Sequence, residues 1–202
     1  MADTDVLVAG AGPTGLVLAL WLAKSGVRVR LVDKAAEPGT TSRALAVHAR
    51  TLELYRQIGL ADAVVERGLC FAAANFWVKS RHVARAELGP MGIGISPFPY
   101  VVIFPQDEHE RLLLERLSEA GVTVERPVAL TTFEDRGDRI VARLQRENGA
   151  EEICEASYLV GCDGARSTTR ECLAEGFPGG TYTHLFYVAD GEATGPVMDH
   201  EL

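Results

Sequence analysis

The start of the chain divides into two apolar segments separated by a glycine-rich turn. The run DVLVAG is short, apolar and rich in β-branched residues, which predicts a buried strand. GPTG opens an uncharged segment that is predicted as a helix to about Ser25, with Gly26 as its left-handed stop. VRVRLVD alternates apolar and charged residues and predicts a second strand that ends at Asp33. Strand, turn, helix and strand over about 30 residues are typical of a βαβ unit.

The uncharged run from Val6 to Ala23 must also be weighed as a membrane span or a signal peptide. A signal peptide begins with basic residues, whereas Asp3 and Asp5 precede this run. A span needs about 20 apolar residues, and the glycines and Pro13 inside this run would interrupt its helix. The βαβ interpretation is therefore preferred, and no membrane partner is expected.

Two more helices are predicted from apolar positions spaced three and four residues apart. One lies in VVIFPQDEHERLLLERLSEAGVTVE, after a strand and a Pro-Gln corner, and extends from about Asp107 to Ala120. The other closes the segment GTTSRALAVHARTLELYRQIGL and stops at Gly59. Its predicted apolar face is formed by Leu52, Leu54, Tyr55 and Ile58.

The second half of the chain is predicted to be rich in strands. Three alternating strands over residues 128–156, joined by DRGD and ENGA, indicate an antiparallel meander. The apolar run from Tyr158 to Cys162 predicts a buried strand, and Ser167 is a candidate cap for a following helix. From about Gly179, the segment GGTYTHLFYVADGEATG is predicted as another strand.

Composition narrows the class of protein. The chain has 202 residues, of which 47% are hydrophobic, and this is enough for a sizeable core. A formal net charge of −8 disfavours nucleic acid as a partner. The four cysteines form no CxxC pair and do not cluster with histidines, so no metal site or disulfide framework is expected, and a cytoplasmic location is predicted.

The glycines at the βαβ turn match a dinucleotide-binding fingerprint. Gly10, Gly12 and Gly15 form G-x-G-x-x-G, which provides a tight turn, close approach to a diphosphate and close helix packing. The N-terminus of the following helix attracts phosphate. Asp33 stands where a carboxylate accepts hydrogen bonds from ribose hydroxyls and would repel a 2′-phosphate. The fingerprint alone does not distinguish NAD from FAD.

Five motifs in a fixed order identify a resemblance that covers nearly the whole chain. They are GAGPTG, LVD, SRALAVHARTLELYRQIGL, PQDEHERLLLERL and GCDGARSTTR. Together they resemble the flavoprotein aromatic hydroxylases, the single-component FAD monooxygenases of the phenol and para-hydroxybenzoate hydroxylase type. The resemblance implies an α/β fold: a Rossmann-like FAD-binding domain of the glutathione-reductase type, with an antiparallel β-meander and the beginning of a mixed-sheet substrate domain.

The resemblance also implies an FAD site. The fingerprint and Asp33 match residues that bind the ADP part, Arg43 matches an arginine near the flavin phosphate and ribitol, and Gln106 matches a glutamine at the ribityl chain. Residues 163–166 match a second dinucleotide motif that serves FAD and nicotinamide binding. The predicted cofactor-binding residues are Gly10, Gly12, Pro13, Thr14, Gly15, Asp33, Lys34, Arg43, Gln106, Asp163, Gly164 and Arg166.

Several of these residues also have purely structural interpretations. Arg43 can be a surface ion-pair partner, Gln106 an ordinary residue at a helix start, and Asp163 with Gly164 a simple turn. Thr169 departs from the family pattern, which has an apolar residue before the last arginine of this motif. No residue is assigned as catalytic.

The implied function is hydroxylation of an aromatic substrate, phenolic or polyketide-like, by an FAD-dependent monooxygenase. NAD(P)H is the implied electron donor and O₂ the co-substrate, through a flavin C4a-hydroperoxide. Two alternatives stay open: another FAD-dependent oxidoreductase of the same fold, such as a halogenase or a reductase, and a catalytically incomplete FAD-binding fragment. Trp21 and Trp77 are too far apart for the W-x-W-x-I-P element of halogenases. Oligomeric state is not predicted.

The domain organisation expected from this resemblance alternates between two domains. Residues 1–75 and 105–178 are predicted to form the FAD-binding domain, and residues 76–104 an excursion into the substrate domain. Residues 179–202 are predicted to start the substrate-domain sheet. The late Gly-Asp flavin motif of the family is not found, so the chain is expected to be the N-terminal portion of a longer protein.

Overall fold

The computed structural model describes residues 3–39, 46–89 and 91–187. Contacts divide the chain into two compact units. Unit 1 comprises Met1–Ala44 and Pro105–Gly176, and unit 2 comprises Leu45–Phe104 and Phe177–Leu202. Within the described ranges, no helix is long and apolar enough to cross a membrane.

The elements follow one another in the chain order β1 (Thr4–Ala9), α1 (Pro13–Lys24), β2 (Val29–Val32), β3 (Ala46–Val47), α2 (Ala49–Gln57), α3 (Ala61–Arg67), β4 (Leu69–Phe71), β5 (Ala73–Val78), β6 (Arg81–Glu87), β7 (Val101–Ile103), α4 (Gln106–Glu119), β8 (Val124–Glu125), β9 (Val128–Asp135), β10 (Ile140–Arg146), β11 (Glu151–Gly161) and α5 (Thr168–Cys172). Unit 1 is built on a six-stranded sheet of order β8-β2-β1-β11-β10-β9. In this sheet β8, β2, β1 and the end of β11 are parallel, whereas β9, β10 and the start of β11 form an antiparallel meander. The predicted fold class is confirmed.

The βαβ unit at the start of unit 1 forms as predicted. β1 and β2 are parallel neighbours, and α1 connects them. Pro13 takes the first helical position, where its missing N–H costs nothing, and Gly26 adopts φ +77° after the helix. The unit therefore places the helix N-terminus at the carboxyl end of β1, where parallel sheets bind ligands.

β11 belongs to both parts of the sheet. Residues 151–156 pair antiparallel with β10, and residues 156–161 pair parallel with β1. The strand ends beside the carboxyl end of β1, where the N–H of Cys162 donates to the carbonyl of Ala9 at 2.7 Å. The buried hydrophobic core of this sheet is formed by Leu7, Ala9, Val32, Val128, Leu130, Ala142, Leu144, Cys154 and Ala156. The glycine-rich turn and the end of β11 consequently meet at one edge.

Unit 2 contains a small sheet of order β3-β7-β4, a β5-β6 hairpin, and helices α2 and α3. The predicted helix α2 is confirmed, and Leu52, Tyr55 and Ile58 are buried. Leu54, which was predicted on the same apolar face, is 37% exposed.

The structure contains one helix that was not predicted, and two predicted strands need correction. The short helix α3 was not anticipated, because seven residues provide too few turns for a periodic pattern. The strand expected before the Pro-Gln corner is limited to β7. The strand expected from about Gly179 is wrong for residues 179–187, which carry neither helix nor strand, and residues 188–202 lie outside the described part.

The compact units differ from the expected domain boundaries at two places, of which the last is small: unit 1 ends at Gly176, and the expected boundary follows residue 178. Residues 46–75 belong to unit 2 by contacts, whereas the sequence assigned them to the FAD-binding part. The boundary between residues 104 and 105 coincides in both divisions. Which unit binds which ligand stays a prediction.

Candidate cofactor site

The glycine-rich turn is packed so closely that two of its positions have no room for a side chain. Gly10 has φ +103°, and a Cβ there would collide with the carbonyl of Cys162 at the end of β11. A Cβ on Gly15 would collide with the carbonyl of Gly10. These two glycines allow α1, the turn and β11 to approach one another, which is the packing role predicted for the fingerprint.

Gly12 is different, because it faces open space. Its backbone is extended, with φ −75° and ψ −178°, and apart from its two chain neighbours no other residue lies within 4 Å of the position that a Cβ would take. Gly12 is the N-cap of α1, so the free N–H groups and partial positive charge of that helix point toward this space. The geometry fits close approach of a phosphate to the backbone.

A first cleft of about 200 Å³ opens on one side of the turn. Its apolar lining includes Val32, Val128 and Leu130, from β2 and β9. The cleft joins the fingerprint to the motif at the end of β11, although these lie far apart in the chain. The predicted site residues that line it are Gly10, Gly12, Asp33, Lys34, Asp163 and Gly164.

A second cleft of about 200 Å³ shares Gly12 and Asp33 with the first. Gln106, at the start of α4, and Arg126, just after β8, line this cleft. Gly12 and Asp33 thus form a wall that the two clefts share, and the other predicted residues that line a cleft are Gly10, Lys34, Gln106, Asp163 and Gly164. An elongated dinucleotide fits this arrangement better than a compact ligand.

Asp33 is held by several groups. Its Oδ2 accepts the N–H of Ala11 at 2.6 Å, and its Oδ1 accepts the N–H of Ala35 at 2.7 Å. The guanidinium of Arg126 lies 3.2 Å from Oδ1. A carboxylate has about four acceptor sites, so these contacts leave capacity for ribose hydroxyls.

Asp163 is fixed by hydrogen bonds within its own motif. Its carboxylate accepts the Ser167 hydroxyl at 2.6 Å and, from Thr169, both the N–H at 3.0 Å and the hydroxyl at 3.2 Å. Partial burial opposes the charged form, but these hydrogen bonds outweigh it and lower the pKa of Asp163. Ser167 also caps α5, as predicted, by accepting the N–H of Arg170 at 3.0 Å.

Gln106 has a defined orientation because of a buried carboxyl group. Its Nε2 donates to Oε1 of Glu110 at 2.8 Å, and Glu110 is only 5% exposed. The carboxamide oxygen of Gln106 is therefore left to accept from a ligand. Neighbouring His109 is also buried, and burial lowers its pKa to about 4, so it is neutral at pH 7.

The remaining predicted residues are placed as follows. Pro13, Thr14 and Gly15 form the first turn of α1, and the side chain of Thr14 is exposed. Arg166 is exposed and is not part of either cleft lining. Arg43 lies outside the described residues. The cofactor contacts assigned to all these residues stay predictions.

Sequence reasoning missed Glu110 and Arg126. Glu110 had a signal, because it lies four residues after Gln106 and so shares its helix face. Arg126 had no such signal, since its partner Asp33 is distant in the chain and the two meet only when β8 pairs with β2. Cys162 was predicted as the last residue of a buried strand, but it follows β11 and lines the first cleft.

Comparison with known proteins identifies the family. The FAD binding domain family matches residues 3–198, and the chain belongs to this family. The 6-methylpretetramide 4-monooxygenase of Streptomyces rimosus is 44% identical over 169 residues, 84% of this chain and 30% of that protein. The 12-dehydrotetracycline 5-monooxygenase/anhydrotetracycline 6-monooxygenase of the same species is 38% identical over 217 residues, 98% of this chain and 41% of that protein.

A solved structure shows the same relationship. The flavin-dependent monooxygenase PieE, in complex with FAD and substrate, has a TM-score of 0.79 and 30% identity, and the match covers 86% of this chain and 33% of PieE. This chain therefore spans between about a third and two fifths of the length of these relatives. Both the FAD-binding family and the fold inferred from the motifs are confirmed.

Proposed function

We propose that the protein is an FAD-dependent monooxygenase that hydroxylates an aromatic, polyketide-like substrate with NAD(P)H and O₂. The observation that carries this proposal is the meeting of the fingerprint, Asp33 and the Asp163 motif around one cleft. The names of the relatives, which include monooxygenases of the tetracycline series, support the same reaction class. A small aromatic molecule would be the partner, and electrons would come from a nicotinamide.

The ADP part of FAD would bind along the shared wall of the two clefts. The N-terminus of α1 at Gly12 would receive the diphosphate, and Asp33 would accept hydrogen bonds from the adenosine ribose. The apolar side chains of Val128 and Leu130 offer a surface for the adenine ring in the first cleft. Lys34, exposed at the rim, would supply a cation near the phosphates.

The ribityl chain would extend into the second cleft. The oxygen of the Gln106 carboxamide is free to accept from its hydroxyls, because the amide nitrogen already donates to Glu110. Arg43 is proposed to approach the same part of the cofactor. When bound, FAD supplies the transfer of electrons and the activation of oxygen, and the protein supplies binding, orientation and exclusion of water.

Asp163 is proposed as a positioning residue, and neither a general acid nor a general base is assigned here. Its carboxylate, fixed by Ser167 and Thr169, holds the turn after β11 against the first cleft. Gly164 adopts φ +78° there, so the backbone can turn without the strain that a side chain would bring. A carboxylate with a lowered pKa stays ionised at neutral pH and is unsuited to donating a proton.

The purified protein provides the test. We expect bound FAD, oxidation of NADH or NADPH that tricyclic or tetracyclic phenols accelerate, and one oxygen atom from ¹⁸O₂ in the product by mass spectrometry. Asp33→Ala is the matched control and should lose FAD. Halide-dependent product formation, or a reduced product without added oxygen, would contradict hydroxylation. Bound FAD that no nicotinamide reduces would indicate a binding module.

A further inference from the structure

The ion pair between Arg126 and Asp33 brackets two separate backbone segments. The N–H of Ala11 donates to Asp33 at 2.6 Å, and the carbonyl of the same residue accepts from Nη2 of Arg126 at 3.2 Å. Ala35 repeats this pattern, with its N–H on Asp33 at 2.7 Å and its carbonyl on Nη1 of Arg126 at 3.3 Å. One carboxylate and one guanidinium thus satisfy both backbone groups of two alanines.

The two bracketed alanines lie where the dinucleotide would bind. Ala11 separates Gly10 from Gly12 in the turn, and Ala35 follows the end of β2. Arg126 also donates to the carbonyl of Glu37 at 3.3 Å, which extends the bracket along the same loop. Loss of the guanidinium would therefore release the turn, the loop and the Asp33 carboxylate together.

Burial and shape make this arginine difficult to replace. The side chains of Arg126 and Asp33 are 12% and 15% exposed, so neither charge is well hydrated when its partner is removed. The guanidinium reaches three carbonyls and one carboxylate because its donors spread in a planar fork. A lysine would keep the charge, but its compact ammonium could not contact the three carbonyls and the carboxylate at once.

We propose that Arg126 is a positioning residue for FAD, which holds Asp33 and the glycine-rich turn in the geometry that binds the adenosine end of the cofactor. The inference rests on the proposed role of Asp33 and Gly12 in FAD binding. It assigns a function to a residue that touches the site wall, lines the second cleft and belongs to none of the five motifs. The effect of losing Arg126 should consequently be larger for ligands with an adenosine diphosphate than for ligands without one.

The test compares Arg126→Met and Arg126→Lys with wild type as apoprotein. FAD affinity is measured by flavin fluorescence, ADP affinity by calorimetry, and FMN affinity by fluorescence as the ligand without adenosine. Because Arg126→Met removes hydrogen bonds made by a charged group, it should weaken the affinity for both FAD and ADP by about 10- to 100-fold. FMN affinity should change by less than about threefold, and Arg126→Lys should recover part of the loss.

Arg30→Met is the matched control. Arg30 is also a largely buried cation of unit 1, with 17% of its side chain exposed, and it pairs with Glu125 at 2.6 Å and Glu152 at 2.7 Å without lining either cleft. Its loss should lower the melting temperature of the apoprotein and leave FAD and ADP affinity near wild type. If Arg126→Met does not fold, Arg126→Lys supports the same comparison.

Unchanged ADP affinity in folded Arg126 variants would overturn the proposal, as would an equal loss in the Arg30 control or an equal loss for FMN. Wild-type protein that binds neither FAD nor ADP would contradict the proposed cofactor site itself. A double variant with Asp33→Asn adds a further check. The loss caused by Arg126→Met should become smaller in that background, because the carboxylate to be positioned is already gone.

Discussion

Thr169 donates both its backbone N–H and its hydroxyl to the same oxygen of Asp163, at 3.0 and 3.2 Å. The threonine is 8% exposed, and a Cβ on Gly161 would lie 2.6 Å from its Cβ. The residue that departs from the family pattern is thus a buried hydrogen-bond donor to the second motif. Its packing against Gly161 also fixes the start of α5 on the end of β11.

Thr169→Val keeps the shape of this side chain and removes one hydrogen bond to a carboxylate. We expect a loss of about 1–2 kcal/mol in the free energy of unfolding at pH 7, measured by urea denaturation. Asp163 has a lowered pKa in the folded protein, so its stabilising contribution is present above the ordinary aspartate pKa of about 3.9 and is lost as pH falls through the folded pKa. The effect of the substitution should therefore be full at pH 6–7 and shrink below about pH 4.

Thr168→Val makes the same chemical change one residue away and leaves the three hydrogen bonds of Asp163 in place. The free energy of unfolding should fall by less in Thr168→Val than in Thr169→Val. The loss in Thr168→Val should not shrink at low pH. Equal losses in both variants across the pH range would show that the hydroxyl of Thr169 does not act through Asp163.

Gly12→Ala should affect mainly the binding of FAD, whereas Gly10→Ala should affect mainly the packing of the glycine-rich turn. Gly12 has open space and an ordinary backbone, so alanine should change the stability of the apoprotein by less than about 1 kcal/mol. The added methyl should nevertheless weaken FAD binding, because it occupies the face that a diphosphate approaches. Gly10→Ala combines φ +103° with a collision against Cys162, and a loss above about 3 kcal/mol is expected.

Thermal unfolding of the two apoproteins measures their stability, and flavin fluorescence titration measures their affinity for FAD. Wild-type affinity for FAD in Gly12→Ala would show that the cofactor does not come close to the turn. A Gly10→Ala protein as stable as wild type would contradict the packing described here.

Cys162 should report occupancy of the first cleft. Burial, assisted by the charge of Asp163, raises the pKa of its thiol, so alkylation should be slower than at exposed Cys172 and should accelerate as pH rises. ADP should slow alkylation of Cys162 further, because this thiol lines the cleft, and should leave Cys172 unchanged. Iodoacetamide labelling followed by mass spectrometry measures both sites in one sample, and equal protection of the two cysteines would contradict a local effect.

Glu110 should influence flavin binding through Gln106. Glu110→Gln keeps an acceptor for the carboxamide, and FAD affinity should stay within about threefold of wild type. Glu110→Leu removes the acceptor and frees the amide to rotate, so FAD affinity should fall by about 3- to 10-fold. Stopped-flow or equilibrium titration with FAD distinguishes the two variants. Wild-type affinity for FAD in Glu110→Leu would show that Glu110 does not influence cofactor binding.

Local patterns predicted the parts of the fold that depend on neighbours in the chain. The βαβ unit, the meander and the Ser167 cap follow from alternation, glycine position and a short polar side chain, and the structure confirms all three. Leu54 was predicted on the buried face of α2 but is 37% exposed, because apolar spacing alone does not show how far other elements cover that face. α3 is too short to show a period.

The site was predictable only where residues follow a motif. Gly12, Asp33 and Asp163 were placed together because each ends a strand or begins a helix at one sheet edge. The bracket formed by Arg126 depends on β8 pairing with β2, and no spacing in the sequence encodes that contact. The role of Thr169 similarly required knowledge of which carboxylate its hydroxyl reaches.

The double pairing of β11 has a consequence for the order of folding. Asp3 and Glu155 are hydrogen-bonded although they are 152 positions apart, and β1 pairs with the last residues of β11. During synthesis from the N-terminus, the first strand therefore waits for almost the entire described chain before its second neighbour exists. Contacts at such long range slow folding, because the connecting chain must lose its freedom before the pairing is gained. Nascent chains stopped before residue 156 should consequently show no ADP-dependent protection from proteolysis, and chains that extend past α5 should acquire it.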